Sequence, residues 1–274
     1  MLIGLGALAW LFTTGDVVSR LVFLSMLVYV PLSARLLLGA STSREFLALA
    51  TATAAVFGQP DAAYLWLAAT LAIAFGAVLS TRRELSSWLA LFPLGYPVVG
   101  AGWWLAARQD WTPLGFTEPI VSLTAAHFHH AAVTPLLSAV LLLRQGGSRS
   151  LAIALCLLPP LVGLGITFSP GLELVAAVGF AGALVALSIQ QLAYSRKVFA
   201  ASQLAGGLLG AGALFLALGM ALGAWYAVGQ YTGLAAPSIP TMVQTHALFN
   251  GGGFGATTLL GWWMASRVQT PENA

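Results

Sequence analysis

Apolar runs of roughly 18 to 25 residues recur along the whole chain, and a helix of that length crosses about 30 Å of hydrocarbon. Only 7% of the 274 residues are charged, whereas a soluble globular domain carries about 25%. A transmembrane barrel would show segments of about ten residues with alternating polarity, and the sequence has no such pattern. We therefore predict an all-α, polytopic transmembrane helical bundle that forms a single domain over residues 1–274, with no soluble domain.

Ten apolar segments lie between charged residues and helix breakers. Two of them, at 2–14 and 45–58, are short for a span, so the pattern predicts eight to ten spans with ten favoured. The ten segments are 2–14, 17–38, 45–58, 62–81, 85–107, 119–143, 150–168, 170–194, 199–229 and 240–266.

The basic residues give the predicted orientation. If the N-terminus is inside, nine of the eleven basic residues fall on one side, and only Arg20 and Arg108 fall on the other. The positive-inside rule makes the richer side cytoplasmic, so we predict a multi-pass protein of the cell's inner (plasma) membrane with both termini cytoplasmic. The nine are Arg35, Arg44, Arg82, Arg83, Arg144, Arg149, Arg196, Lys197 and Arg267.

Two classes of function are disfavoured by composition. The basic residues are scattered singly or in pairs, so the sequence lacks the basic stripe of a nucleic-acid binder. Cys156 is the single cysteine, which excludes a disulfide framework within the chain and a cysteine-based metal site.

The stretch "TAAHFHHAAVTPLL", residues 124–137, holds three of the four histidines. Pro119 suits the first position of this helix, which places His127 about 12 Å along the helix axis. At 100° per residue, five polar residues fall within about 60° of one line, and a helix in lipid hides such a stripe in the bundle interior or in a wet cavity. His129 points elsewhere, and Pro135 should kink the helix near Ala131. The stripe is Thr124, His127, His130, Thr134 and Ser138.

Two further segments carry polar residues at corresponding depths. Pro240 opens the last segment, His246 lies about 9 Å along it, and Asn250 follows one turn later on the same face. The glycine-rich "NGGGFG" then permits close approach of a backbone or ligand. Glu173 lies just inside the segment that begins "SPGLELV".

All of these elements start from the outer side in the predicted topology. Five titratable residues are therefore expected in the outer half of one bundle: Glu118, His127, His130, Glu173 and His246. Interhelical hydrogen bonding is the competing interpretation for the histidines, tight helix packing for the glycines, and helix-dipole capping for Glu173.

The motifs "PIVSLTAAHFHHA" and "MVQTHALFNGGGFG" resemble the YndJ-like family of bacterial integral membrane proteins. Leu123, Thr124, Ala125, His127, Phe128 and His129 carry the first motif, and His246, Asn250, Gly253 and Phe254 carry the second. The departures are His130, where the family has an aromatic residue, and the triple glycine. The resemblance implies that His129 belongs with His127 in one site, and it implies little about activity.

Acid–base catalysis on a lipophilic small molecule is the first functional hypothesis. Histidine titrates near neutral pH, and an imidazole opposite a carboxylic acid can take a proton from one atom while the acid protonates another. Isomerisation, cyclisation and opening of an epoxide or other ring need such a pair. The expected partners are the substrate and membrane lipid, with no cofactor favoured. The predicted catalytic residues are Glu118, His127, His129, Glu173, His246 and Asn250; a secondary pocket would comprise Thr124, His130, Thr134, Gly253 and Phe254.

Two alternatives stay open at this point. In the first, His127, His129, His130 and His246 bind zinc, iron or haem, with His127, His130 and His246 as the ligand set for a single metal ion. Four histidines are too few for the histidine boxes of membrane di-iron oxygenases. In the second, the histidines form a proton relay in a transporter or sensor, although no inverted repeat supports a transporter.

Overall fold

The computed structural model describes residues 2–39 and 41–268, and all regular structure within them is helical. Two compact units comprise residues 1–137 and 138–274, and each is described separately. Every one of the ten predicted apolar segments corresponds to helical structure. The assignment of the whole chain to a single domain stays a prediction.

The first unit contains five helices and the first part of a sixth. Helix α2 includes one π-helical turn at Ser25–Tyr29, and α4 opens with a 3₁₀ turn at Pro60–Ala62. The helices are α1 (Leu2–Leu11), α2 (Val17–Leu38), α3 (Thr42–Phe57), α4 (Pro60–Leu79), α5 (Leu85–Arg108) and α6 (Ile120–Arg144).

The second unit begins within α6 and contains three long helices and a divided one. These are α7 (Arg149–Phe168), α8 (Pro170–Ala201), α9 (Gln203–Thr232) and α10 (239–268). Helix α10 consists of a short α-helix at Ile239–Met242, a π-helix at Val243–Phe254 and an α-helix at Gly255–Val268. Helix α9 packs against both α8 and α10.

Seven helices of the described part are long and apolar enough to cross a membrane: α2 and α4 to α9. Helix α1 has only 10 residues and α3 has 16, as their short apolar runs indicated. The chain is thus an all-helical protein with the helices of an integral membrane protein.

Serine and aspartate side chains set several helix starts. The carboxylate of Asp16 accepts a hydrogen bond from the backbone N–H of Ser19 (2.7 Å), which caps α2. Ser41, Ser148, Ser169, Ser202 and Ser238 cap α3, α7, α8, α9 and α10 in the same way. Such caps satisfy one of the N–H groups that a helix leaves unpaired at its start, so local sequence determines where each helix begins.

Burial follows the pattern expected of helices in lipid. Trp66, Tyr29 and Leu94 are among the largest buried side chains of the first unit, while Leu184 and Leu209 are fully buried in the second. Large apolar side chains are also exposed along most helices. In water an apolar surface of this extent would promote aggregation, whereas a bilayer solvates it.

Candidate functional site

Helix α6 carries three of the histidines, and it is interrupted. A turn at residues 131–133 separates Ile120–His130 from Thr134–Arg144. The kink that Pro135 predicted is therefore confirmed. The helix begins at Ile120, with Pro119 immediately before it. Of the predicted stripe, His130, Thr134 and Ser138 are buried.

His127 lies on the exposed side of α6. Its Nδ1–H donates to the carbonyl oxygen of Leu123 (2.7 Å), one turn earlier on the same helix. Thr124 similarly donates to the carbonyl of Ile120 (2.8 Å). His127 therefore does not lie in the interior, because the buried face of this helix carries His129 and His130.

His129 is fully buried in the first unit. Its Nδ1–H donates to the carbonyl of Ala125 (2.8 Å), and its Nε2 accepts a hydrogen bond from the indole N–H of Trp66 (3.1 Å). Gly100 on α5 lies so close that an added Cβ would stand 2.6 Å from Nδ1. Both ring nitrogens are therefore engaged, and the two partners fix one neutral tautomer.

His130 is buried beside α2. Its Nε2–H donates to the carbonyl of Leu21 (2.7 Å), and the edge of one ring faces Tyr29 with centroids 5.4 Å apart. Within the described part of the chain, neither its Nδ1 nor the hydroxyl of Thr134 has a hydrogen-bond partner. Glu118 lies apart from these groups: it is exposed and accepts hydrogen bonds from the N–H and hydroxyl of Ser122 (3.2 and 2.8 Å).

His246 lies in the π-helix of α10, within the second unit. Its Nδ1 is 2.8 Å from the carbonyl oxygen of Gly219 on α9 and 3.3 Å from the amide nitrogen of Asn250. A carbonyl only accepts, so the shorter contact requires that Nδ1 carries the proton. The lone pair of this imidazole is therefore on Nε2.

Asn250 holds the backbone at His246. Its amide nitrogen donates to the carbonyl of His246 (2.8 Å), while its Oδ1 is buried without a hydrogen-bond partner within the described residues. An added Cβ at Gly219 would overlap the Asn250 amide, and one at Gly223 would stand 3.1 Å from His246 Cε1. Gly219 and Gly223, one turn apart on α9, therefore leave space for the side chains of His246 and Asn250.

Gly253 and Phe254, predicted to line a secondary pocket, are packing residues in the structure. An added Cβ at Gly253 would stand 2.7 Å from the ring of Phe215, which itself stacks on Phe249. Phe254 is fully buried. The close approach of α9 and α10 therefore depends on the glycine.

Glu173 is half-buried in the first turn of α8 and lies near Tyr226 on α9. Tyr226 is also half-buried and lies three residues beyond Gly223, whose Cα faces His246. Tyr226 was not predicted from the sequence, because its significance depends on the packing of α9 against both α8 and α10.

The predicted site residues thus belong to two sets. In the first unit His129 and His130 are buried, while Glu118 and His127 are exposed. In the second unit Glu173, His246 and Asn250 are all half-buried. Among residues 2–39 and 41–268, no three or more His, Cys, Asp or Glu side chains form a group that could hold a metal ion.

Comparison with known proteins gives one match. No curated protein and no solved structure is similar to the chain. The family described as YndJ-like protein matches residues 20–254, a range that includes both histidine motifs and all of the predicted site residues. This match confirms the resemblance seen in the motifs, and the chain belongs to the YndJ-like family.

Proposed function

We propose that this protein is an integral membrane enzyme that acts on a lipophilic small molecule by acid–base chemistry, with His246 as its base. The reaction class is isomerisation, cyclisation, or opening of an epoxide or other ring. The observation that carries the proposal is the hydrogen bond from His246 Nδ1–H to the Gly219 carbonyl (2.8 Å). This hydrogen bond fixes the tautomer in which Nε2 is basic, within a largely apolar unit.

The structure around His246 supports a positioned base. Asn250 donates a hydrogen bond to the main-chain carbonyl of His246, and both residues lie in the π-helix, which widens α10 at this point. π-Helical segments occur often at functional sites, because the extra residue in the turn re-aims side chains. A general base must hold one geometry relative to its substrate, and the contacts with Gly219 and Asn250 restrict the ring.

Glu173 is the natural proton donor in this proposal. It is the only carboxyl side chain among residues 138–268, and His246 is the only imidazole there. Both are half-buried, and Tyr226 on the intervening helix lies near Glu173. An acid and a base on opposite sides of a substrate can donate one proton and accept another in a single step. We assign these roles to Glu173 and His246, with Asn250 as the positioning residue.

The first unit has a different part in this proposal. The hydrogen bond that Trp66 on α4 donates to His129 favours the interhelical bonding role over catalysis. The inclusion of Glu118, His127 and His129 in one site with His246 stays a prediction.

Replacing His246 by glutamine tests the assignment, because an amide cannot take a proton at neutral pH. Nonpolar extracts of cells that produce the wild-type protein or the variant would be compared by untargeted mass spectrometry. We expect a product in wild-type cells and its precursor in the variant, related by equal mass or by one added water. Loss of a general base lowers turnover by about a hundredfold to ten-thousandfold.

The controls separate chemistry from folding. Gln244→Ala changes an exposed residue of the same π-helix and should leave the product at its wild-type level. Gly219→Ala should lower it by displacing Asn250, whereas Gly207→Ala on the same helix meets nothing within 4 Å and should not. Unchanged extracts in His246→Gln would contradict the proposal. So would stoichiometric metal or a haem absorption band that is present in purified wild-type protein and absent from the variant.

We further propose that the chain crosses the plasma membrane ten times with both termini cytoplasmic, as the distribution of basic residues indicates. Thr112 precedes α6 and Gln145 follows it, and both are exposed. In a Cys156→Ala background, Thr112→Cys should react with an impermeant maleimide on intact cells. Gln145→Cys should react only after the membrane is permeabilised. The reverse labelling pattern would show that the chain has the opposite orientation in the membrane.

A further inference from the structure

Arg20 and Arg108 are the two exceptions to the distribution of basic residues, and the structure brings their surroundings together in the first unit. Phe23, three residues after Arg20, packs edge-on against Trp104, four residues before Arg108, with ring centroids 5.3 Å apart. Helices α2 and α5 are separated by two helices and run in opposite directions. Each arginine is therefore about one turn beyond this contact, towards the same end of the unit.

Three nitrogen donors at this end are buried and have no hydrogen-bond partner within the described residues: Arg20 Nε, Arg108 Nε and Trp104 Nε1. The Trp104 side chain is itself only 5% exposed. Leaving a buried N–H unpaired is costly, and unpaired donors in native proteins are uncommon. Three of them along one aromatic contact indicate that an acceptor group binds here.

The positive charge at this end is not neutralised by a carboxylate. The one ion pair in the described part joins Arg35 to Glu45, at the other end of α2. Three acidic residues of this region accept hydrogen bonds from neutral donors: Asp16 from the Ser19 N–H, Asp61 from the Gln109 amide, and Glu118 from Ser122. Asp110, two residues after Arg108, forms no ion pair within the described residues.

The aromatic rings hold the two guanidinium groups in place. Arg20 lies over the ring of Trp10 and Arg108 over that of Trp104, with the guanidinium carbons 5.1 and 5.9 Å from the ring centroids. The Arg108 guanidinium also donates to the carbonyl of Gly58 (3.3 Å). A stacked guanidinium keeps its edge donors for a second partner, so this arrangement favours an oxyanion with several acceptor oxygens.

We infer that Arg20, Arg108 and Trp104 form a binding site for a phosphate group at the outer membrane surface. Arginine forks match phosphate oxygens, and the indole N–H adds a third donor. The site lies at helix ends, where tryptophans meet the headgroup layer, so an anionic phospholipid headgroup and a free phosphate compound present the same chemistry to it. This inference does not depend on the proposed catalytic role of His246.

Ligand-dependent thermal stability of the purified full-length protein in detergent tests the site, since a ligand that binds the folded state raises its melting temperature. The probes are dioleoylphosphatidylglycerol, dioleoylglycerol, which has the same acyl chains without phosphate, and inorganic phosphate. We expect saturable stabilisation by the phospholipid but not by dioleoylglycerol. In Arg20→Gln/Arg108→Gln the apparent affinity should fall at least about tenfold, as expected when charged hydrogen bonds are lost.

Two further variants make the result specific. Arg82→Gln/Arg83→Gln removes the same charge from exposed residues of the α4–α5 loop and should retain wild-type affinity. Trp104→Phe keeps an aromatic ring and both arginines but removes the indole N–H donor, and it should weaken binding of the phospholipid several-fold. This variant tests the site if the double arginine variant does not fold.

Every result of this experiment either supports the phosphate site or overturns it. Stabilisation by inorganic phosphate as well as by the phospholipid would support the site and identify a soluble phosphate as a second source of ligand. Stabilisation by the phospholipid alone would support a lipid site. The inference is overturned if no phosphate probe stabilises the protein, if the Arg82/Arg83 control weakens binding equally, or if Trp104→Phe binds as the wild type does.

Discussion

The Gln191→Ala variant is expected to melt well below the wild-type protein, with a loss of about 2–4 kcal/mol in the free energy of unfolding. Gln191 is fully buried in the second unit. Its Oε1 accepts a hydrogen bond from Ser138 (2.6 Å), and its Nε2 donates to the Leu209 carbonyl and to Thr258 (both 2.9 Å). Alanine would leave these partners unsatisfied and also create a cavity.

The network around Gln191 makes the effect larger than that of one ordinary hydrogen bond. Trp262 donates its indole N–H to the same Ser138 hydroxyl (3.1 Å), and its ring stacks on Tyr194 with centroids 4.9 Å apart. Interhelical hydrogen bonds in membrane proteins contribute about 0.6 kcal/mol each on average, and up to about 1.7. Because one side chain joins α6, α8, α9 and α10, its removal affects several contacts at once.

The melting temperature of each purified protein is measured by size-exclusion chromatography of samples heated to increasing temperatures. Gln190→Ala is the matched control: it removes the same side chain one position earlier, where Gln190 makes a long 3.4 Å contact with the Ser148 N–H. The control should melt within a few degrees of the wild type. If Gln190→Ala lowered the melting temperature as much as Gln191→Ala does, the central role of Gln191 in this network would be contradicted.

The second large effect is expected from Gly100→Ala, a change of one methyl group. The new Cβ would stand 2.6 Å from Nδ1 of His129 and 2.8 Å from its Cε1. That ring is fully buried and held by Trp66 and Ala125, so it must leave its place and break both hydrogen bonds. Overpacking and lost hydrogen bonds together should destabilise the first unit by about 2–4 kcal/mol.

Gly102→Ala, two residues further along α5, provides the comparison. A Cβ at Gly102 meets nothing within 4 Å, and alanine favours a helix over glycine by up to about 1 kcal/mol. The two substitutions are chemically identical, yet their effects on melting temperature should have opposite signs. A Gly100→Ala protein as stable as Gly102→Ala would show that His129 is not confined as described.

The sequence was sufficient to predict where the helices lie. Apolar length sets the spans, capping residues such as Ser169 and Ser202 set their starts, and Pro135 marks the break in α6, so local physics determines these features. Short apolar runs also indicated correctly that α1 and α3 differ from the full-length spans. The number of membrane crossings depends on how such short helices sit in lipid, which their composition does not specify.

The orientation of the histidines was harder to predict, for a physical reason. The stripe argument assumes that polar side chains must face inwards, but His127 satisfies its Nδ1–H on a carbonyl of its own helix. His129 turns inwards because Trp66 and Gly100, on two other helices, offer a partner and the necessary space. Tyr226 was missed for the same reason, since only helix pairing reveals its neighbours.

The π-helix of α10 has a consequence for how the chain tolerates changes in length. A π-helix holds one more residue per turn than an α-helix, so a single deletion within Val243–Phe254 can convert a wide turn into an ordinary one without breaking α10. Because the narrower turn covers the same rotation with one residue fewer, Gly255–Val268 would keep its orientation relative to the start of α10. Removal of one of the three consecutive glycines at 251–253 would therefore be absorbed within the π-helix, and the imidazole of His246 would still point towards the Gly219 carbonyl.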